Sequence, residues 1–512
     1  METELKFEVD PATADRLLED LALATQGEEL ILKSIYYDTA KSDLRGQGIA
    51  LRVRDDGKKR VQTVKQSTHS AIARGEWEAE VKGLTPDLAA AGDSPLAKAL
   101  GAKAGSSLKP AFEVTVERAR RNVAVGDGVV EVALDRGAVS ADGYGSPICE
   151  LELELKSGAP ALLFELARTL SASGPLELSF LTKAERGYAL MDGASLSPAK
   201  AKRPVLARKA TAGQAFQAIG ASALAQITAN ARVLRTARRP EAIHQLRVGV
   251  RRLRTAIGLF GPMLADERRS VIKAELKWIT GELEDARNID VFIAETYRPA
   301  VAGRPETPGL AALGAGLLRA QTEAYDRAEA ALRSPRFGAL TLETAAWIET
   351  GAWTTSSDPA LAQPREQPAG KLAAKVLGKH LHRIVKDGRE LESLSPENRH
   401  HLRIRAKKLR YAGEFFASLY GGKAARRQRA MGDLLGAFQD GLGLLNDITV
   451  GAELIARLVG AAPDPSGAKR KPDPAQAFAA GQVCASRETE APAALAGSLA
   501  AYKKLAKAKP YW

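Results

Sequence analysis

The hydrophobic period of the chain changes once, near residue 200, and no single layer architecture accommodates both halves. Before about residue 190, short runs alternate apolar and polar positions at 2–9, 49–54, 60–66, 76–82, 111–125, 129–135 and 148–156, most of them bounded by Gly, Pro or Asp. A period of two in runs this short specifies half-buried strands, so the first half is expected to be an antiparallel β domain. From residue 210 onward the runs are long, rich in Ala, Leu and Arg, and of helical period. The expectation is an α+β multidomain chain: a β domain over 1–193, a linker over 194–209 containing SLSPAKAKRP, and an all-α domain over 210–510. Loops are expected at 354–368 and 463–474, where Pro, Ser and Asp accumulate.

Charge divides at the same place. Residues 1–200 carry 25 Lys and Arg against 31 Asp and Glu, whereas residues 201–512 carry 49 against 30. A strongly basic module beside an acidic one points to a polyanionic partner for the helical half. The 12 Phe, 5 Trp and 10 Tyr are few for a protein that stacks single-stranded bases, and no helix-turn-helix or finger motif is present, so nucleic acid is not the expected partner. Cys149 and Cys484 are too far apart in sequence for a disulfide framework or a thiolate zinc site, which fits a reducing compartment. The opening METELKFEVD lacks the basic start and apolar middle of a secretory signal. An uncharged stretch at 210–231 holds Gln214, Gln217, Gln226 and Asn230, so no membrane segment is expected and the location is read as cytoplasmic.

On the β half, Glu2, Glu4 and Lys6 follow at two-residue spacing and share one strand face roughly 7 Å apart, with Leu5 and Phe7 on the other. CELELELK repeats the device with Glu150, Glu152, Glu154 and Lys156. Between them lie Arg52 and Arg54, Lys65, the Glu76, Glu78, Glu80 series, Arg118 and Arg120, and Glu131 and Asp135. The plain alternative for each strand is a solvated face. Successive carboxylates repel unless a cation sits among them. A barrel with these faces turned inward holds a hydrated tunnel, hard-cation ligands on one side and anion-binding groups on the other, suited to a metal-bound polyphosphate. Carboxylates without His or Cys indicate Mg²⁺ or Mn²⁺. Lys6 and Lys156 are either substrate contacts or counter-charges; the motif below favours the first for Lys6, and Lys156 is read as structural. His69, in QSTHSA, reads as an ordinary loop residue.

Glu2-Thr-Glu4-Leu-Lys6 resembles the ExExK signature of the CYTH family, the triphosphate tunnel metalloenzymes. The resemblance continues in order through Tyr36-Tyr-Asp38-Thr39, Leu51-Arg52-Val-Arg54, Lys65, the Arg118 strand, Glu131 to Gly137, Pro147 to Gly158, and Thr182-Lys183-Ala-Glu185-Arg186-Gly187-Tyr188. It implies an eight-stranded closed tunnel with Mg²⁺ or Mn²⁺ held by Glu2, Glu4, Glu150, Glu152 and Glu154; Glu131 and Asp135 are ligands or outer groups. It further implies that Lys6, Arg52, Arg54, Lys65, Arg118 and Lys183 grip the triphosphate and carry catalysis, with Arg120 and Arg186 as further substrate contacts. Water then attacks the terminal phosphorus in line. Glu2 follows Met1 directly, at a terminus prone to fraying.

In the helical half, HQLRVGVRRLR (244–254) is echoed by HHLRIRAKKLR (400–410). At 100° per residue, His244, Arg247, Arg251 and Arg254 share one arc, separate from Leu246, Val250, Leu253 and Ile257; His400, Arg403, Lys407 and Arg410 repeat the arrangement. A second shared element, ARNIDV at 286–291 and LLNDI at 444–448, follows each copy. Duplicated bundles over about 210–350 and 370–510, related by a pseudo-dyad, are expected. A lone basic face is ordinarily solvated. Two such stripes facing each other form a channel that needs a long anion. His244 and His400 either lock helix packing or contact phosphate. This half resembles the CHAD domain, which implies two pseudo-symmetric helical bundles and binding of inorganic polyphosphate; Asn288 stands where that family often has Asp. Joined in this order, the halves look like bacterial inorganic triphosphatases. That resemblance implies cleavage of tripolyphosphate to pyrophosphate and phosphate, with location near polyphosphate granules. Thiamine triphosphatase, a class IV-type adenylate cyclase and a non-catalytic polyphosphate scaffold are the alternatives. On this reading, removal of residues 201–512 leaves turnover largely intact.

Overall fold

The computed structural model describes residues 2–24, 27–67, 70, 72–101, 108–194, 196–460 and 473–512; His69 and most of the 463–474 loop lie outside them. Two compact units are present: Met1–Lys200 with Leu224–Thr236 and Ser334–Thr354, and Ala201–Ala223 with Ala237–Arg333 and Thr355–Trp512.

The first unit is built on strands β1 (Glu2–Glu8), β2 (Gly27–Thr39), β3 (Ile49–Asp55), β4 (Arg60–Ser67), β5 (Ala73–Glu80), β6 (Leu108–Val125), β7 (Gly128–Ala141), β8 (Tyr144–Ser157) and the short β9 (Glu177–Leu178). They pair antiparallel in the order β5-β4-β3-β2-β6-β7-β8-β1, and pairing of β1 with β5 closes an eight-strand barrel; β9 adds to β1. Closure removes the sheet edges. The period-two reading passes over β2 because its apolar residues serve both faces. Leu32 and Tyr36 join a cluster inside the barrel, while Ile35 and Tyr37 join one outside.

Alternation sets which face is which. Leu5, Phe7, Val130, Val132, Leu134, Leu151 and Leu153 point outward beneath the helices Pro11–Ala24 and Ala161–Leu170, and Leu224, Leu342, Ala345 and Ala346 complete that core. Leu51, Val53 and Val64 point outward on the other side, against Leu44 and Leu96. The charged positions therefore face inward, and the solvated-face alternative fails: Lys6 is 5% exposed, Asp135 and Glu150 0%. Inside, Leu32, Tyr36, Phe112, Val114, Val116, Val139 and Ile148 pack with Ala184 and Tyr188 of the helix Lys183–Met191. That helix starts at a capping box made by Thr182 and Glu185. It lies close enough that a Cβ on Gly187 would stand 2.2 Å from the Phe112 ring. The barrel interior thus has an apolar part filled by a helix and a part lined by charged side chains.

In the second unit the duplicated segments are the helices Pro240–Leu259 and Pro396–Phe415, each of 20 residues with Pro in the first turn. Phe260 and Phe416, equivalent residues just after them, lie 5.9 Å apart ring to ring. Contact between equivalent residues is what a local twofold axis produces. The segment expected as a loop at 354–368 contains a helix, Pro359–Glu366, with Pro364 inside it, capped by Asp358, whose carboxylate accepts from the Ala360 amide. Among the described residues no helix is long and apolar enough to cross a membrane.

Candidate functional site

Strand register arranges the inward charges in rows across the barrel wall. One row runs Glu177, Glu8, Glu150, Asp135, Arg118 over β9, β1, β8, β7 and β6. The next pairs Lys6 with Glu152, and a third places Glu4, Glu154 and Glu131 side by side on β1, β8 and β7. Directly opposed like charges are unfavourable without a cation between them.

The first two rows are neutralised by the protein itself. Lys183 Nζ lies 2.8 Å from Asp135, 3.0 Å from Glu150 and 2.8 Å from Glu152. Arg118 forks onto Asp135 at 2.6 Å and reaches Glu152 at 2.6 Å. Lys6 is 2.9 Å from Glu152, and Arg186 bridges Glu150 at 2.8 Å and Glu8 at 3.1 Å. Burial alone would raise the Glu152 carboxyl, but Lys183, Lys6 and Arg118 hold it well below the usual carboxylate range. Burial opposes the Lys183 charge, yet Asp135, Glu150 and Glu152 keep it well above its ordinary value. Both are fixed charges at neutral pH.

The third row is different. Glu4 takes Arg74 at 2.8 Å, Glu154 takes Lys156 at 2.8 Å, and Glu131 has, among the described residues, Arg120 and Lys156, each at 3.6 Å. Glu2, read as prone to fraying, is held: it pairs with Arg74 in register and accepts from Lys65 Nζ at 2.6 Å. Burial, assisted by Glu4 and Glu76 against Lys65, pushes its carboxyl up to about 7. Among the described residues no three acidic, imidazole or thiol groups converge as a ready-made metal cage. The donor chemistry nonetheless fits a hard divalent cation: of the three cations on these side-by-side carboxylates, Lys156 is shared by Glu131 and Glu154, and Arg120 lies nearer Glu28 than Glu131.

Across the lumen stand the anion-binding candidates. In the closed strand order β3 is diametrically opposite β8, so Arg52 and Arg54 face the Glu150, Glu152, Glu154 wall. Their Nε atoms are buried without a hydrogen-bond partner among the described residues. Burial opposes the Arg52 charge, but Tyr36, Glu76 and Glu78 keep it above its ordinary value. Lys65, on β4, joins them, 3.1 Å from Glu76. Arg120 sits half-exposed, 2.5 Å from Glu28. Sequence reasoning passed over Glu8, although it continues the two-residue series of β1, and Arg74, whose strand begins three residues before the alternating run.

In the second unit the two basic stripes meet. Lys407 is surrounded by Arg251, Arg403 and Arg410, and burial together with the first two brings its ammonium down to about 6. Arg251 and Lys407 are equivalent positions of the repeat. Burial and Arg287 push His244 down to about 4. Arg247 pairs with Glu284 at 3.4 Å and Arg403 with Asp447 at 3.8 Å. His400 is exposed and its Nδ1 lies 2.5 Å from the Asn446 oxygen, and Arg254 is exposed, so the equivalence is imperfect. Arg287, unassigned from sequence, joins the cluster from the second shared element, at the position that Asn446 occupies in the other copy.

The CYTH domain model matches residues 1–188 and the CHAD domain model residues 218–456. An inorganic triphosphatase of Haemophilus influenzae is 31% identical over 205 residues, 37% of this chain and 54% of that protein, so the alignment spans about half the relative's length. The crystal structure of the CHAD domain from the plant Ricinus communis is 28% identical with a TM-score of 0.50, covering 60% of this chain and 96% of that one. A Hippeastrum protein with a dominant triphosphatase activity aligns at 20% identity and a TM-score of 0.30, over 37% of this chain and 96% of its own.

Proposed function

We propose, for a chain that carries a CYTH domain followed by a CHAD domain, that the barrel hydrolyses inorganic tripolyphosphate with the help of a divalent cation and that the helical unit binds inorganic polyphosphate. The observation that carries the first part is the divided lumen. Carboxylates on β1, β7 and β8 face half-buried arginines on β3 whose buried Nε atoms lack partners among the described residues. A short phosphate chain bearing a metal supplies positive charge to one wall and oxygens to the other.

Glu4, Glu131 and Glu154, with Glu2 and Glu152 beside them, are the residues that would hold Mg²⁺ or Mn²⁺. Such an ion, when bound, offsets phosphate charge and makes water a better nucleophile. Arg52, Arg54, Lys65 and Arg120 bind and orient the phosphate oxygens, and Lys6, Arg118 and Lys183 stabilise the charge that develops on the leaving group. Lys183 stays protonated, so it stabilises rather than transfers a proton. Glu150 has no exposed surface and holds Lys183 and Arg186; we assign it as their counter-ion rather than as a metal ligand.

Phosphate release from tripolyphosphate, pyrophosphate, ATP, thiamine triphosphate and long polyphosphate, with Mg²⁺, Mn²⁺ or EDTA, tests the reading. Tripolyphosphate is expected to be the preferred substrate, with no turnover in EDTA and a loss of at least about 100-fold in Glu152→Gln. Activity that survives Glu152→Gln, or a cyclic nucleotide as sole product, overturns it. For the helical unit, the convergence of Arg251, Arg403, Arg410 and Lys407 supports a polyanion site. Replacing Arg251 and Lys407 by Ala is expected to weaken long-chain polyphosphate and to reduce the salt slope of binding by about one per cation removed.

A further inference from the structure

The acidic row Glu177, Glu8, Glu150, Asp135 is completed by residues the β sequence does not contain. Four carboxylates stand directly opposite one another on four neighbouring strands. Arg118 and Lys183 hold the Asp135 end. At the other end Arg235 pairs with Glu177, and Arg232 Nε lies 3.7 Å from Glu8. Both arginines belong to the helix Ala212–Thr236, in the Leu224–Thr236 stretch that is part of the first compact unit. Glu8 is thus shared by Arg232 and Arg186, and Arg186 is shared in turn by Glu8 and Glu150.

We propose that Arg232 is a positioning residue for the tunnel, acting through Glu8, Arg186 and Glu150 on Lys183. With Arg232 present, part of the Glu8 charge is met from outside the barrel, and Arg186 is left to hold Glu150. Without it, Glu8 competes for Arg186, Glu150 loses a partner, and the ammonium of Lys183 is drawn from Glu152 and the lumen toward Glu150. Because buried networks of this kind respond as a unit, a residue on a helix that follows the last barrel strand in sequence tunes the cation that faces the phosphate. The inference rests on the tunnel being the triphosphate site.

The test is a cycle in the full chain: wild type, Arg232→Ala, Glu8→Gln, the double variant, and Arg232→Lys as the charge-conserving control. Arg232→Ala is expected to lower kcat for tripolyphosphate about tenfold with KM within about twofold, an ordinary coupling for neighbours in one ion-pair network. Adding Glu8→Gln removes the competing carboxylate and returns kcat to within about threefold of wild type, as does Arg232→Lys. A loss that Glu8→Gln does not relieve, or unchanged kcat in Arg232→Ala, overturns the proposal. Calorimetric affinity for tripolyphosphate without metal, on the same chains, separates the two readings. A wild type that binds but releases no phosphate defeats the hydrolase assignment, while non-additive affinities for the Arg232 and Glu8 variants still uphold the positioning role and additive ones reject it.

Discussion

Glu150 and Glu154, four residues apart on one face of β8, have different surroundings, and on the proposed reading these assign them different tasks. Glu150 is saturated by Lys183 and Arg186 with no exposed surface, whereas Glu154 is about a third exposed and stands between Glu4 and Glu131. Removing one partner of a buried pair strands the others, so Glu150→Gln is expected to cost about 3–5 kcal/mol in urea unfolding. Glu154→Gln, which relieves like-charge opposition, is expected to leave metal-free stability unchanged or higher while raising the Mg²⁺ concentration needed for turnover. Equal destabilisation by both would contradict the division. Lys407 supplies a pH signature. Its ammonium is brought from 10.5 to about 6 in the folded chain. The unfolded chain therefore binds the extra proton between those values, and stability rises with pH across that window. An anion placed on the cluster raises the folded value again. Polyphosphate binding at pH 8 is accordingly expected to take up close to one proton, measured by calorimetry in buffers of different ionisation enthalpy, and Lys407→Met to abolish the uptake.

At the scale of elements, the helix Lys183–Met191 decides how much of the barrel is tunnel. Its Ala184 and Tyr188 fill the inner apolar cluster, and its first residue delivers the ammonium to Asp135, Glu150 and Glu152. Tyr188 Oη donates to Asp38 at 2.7 Å, and Asp38 also accepts from the Leu44 amide at 2.9 Å, which ties the helix to the turn after β2. Gly187 permits the approach. A methyl group there would meet the Phe112 ring at 2.2 Å, so Gly187→Ala is expected to destabilise by about 1–3 kcal/mol and to lower turnover by shifting Lys183. Wild-type stability and kinetics in that variant would show that the helix does not set the position.

Over the whole chain, the barrel's outer core extends past the sequence boundary between halves. Leu224, Leu342, Ala345 and Ala346 pack with Leu5, Phe7, Leu151 and Leu163. Arg168 pairs with Glu343 at 2.6 Å, and Ser70 donates to Glu349 at 3.0 Å. A fragment ending at residue 200 lacks these groups, and losing Leu224 and Leu342 alone is worth about 2–5 kcal/mol each on the scale of large-to-small core changes. The fragment is therefore expected to bind a hydrophobic dye and to lose turnover, contrary to the independence that the change of period suggests. A fully active, dye-silent fragment would show that those contacts are dispensable.

Period and spacing alone determined the strand faces of β1, β3, β7 and β8, the charged residues sharing those faces, and the duplicated basic helices, because alternation and helical repeat are local properties of the backbone; Lys183 entered through the family resemblance. Tertiary structure decided what no local pattern encodes. It put Arg52 and Arg54 opposite β8 through barrel closure, separated Glu150 from Glu154 by their partners, brought Arg251 against Lys407, and carried Arg232 to Glu8. Each of these depends on which segments meet across the closed sheet or the local axis, and a residue's charge environment is a sum over neighbours distant in the chain.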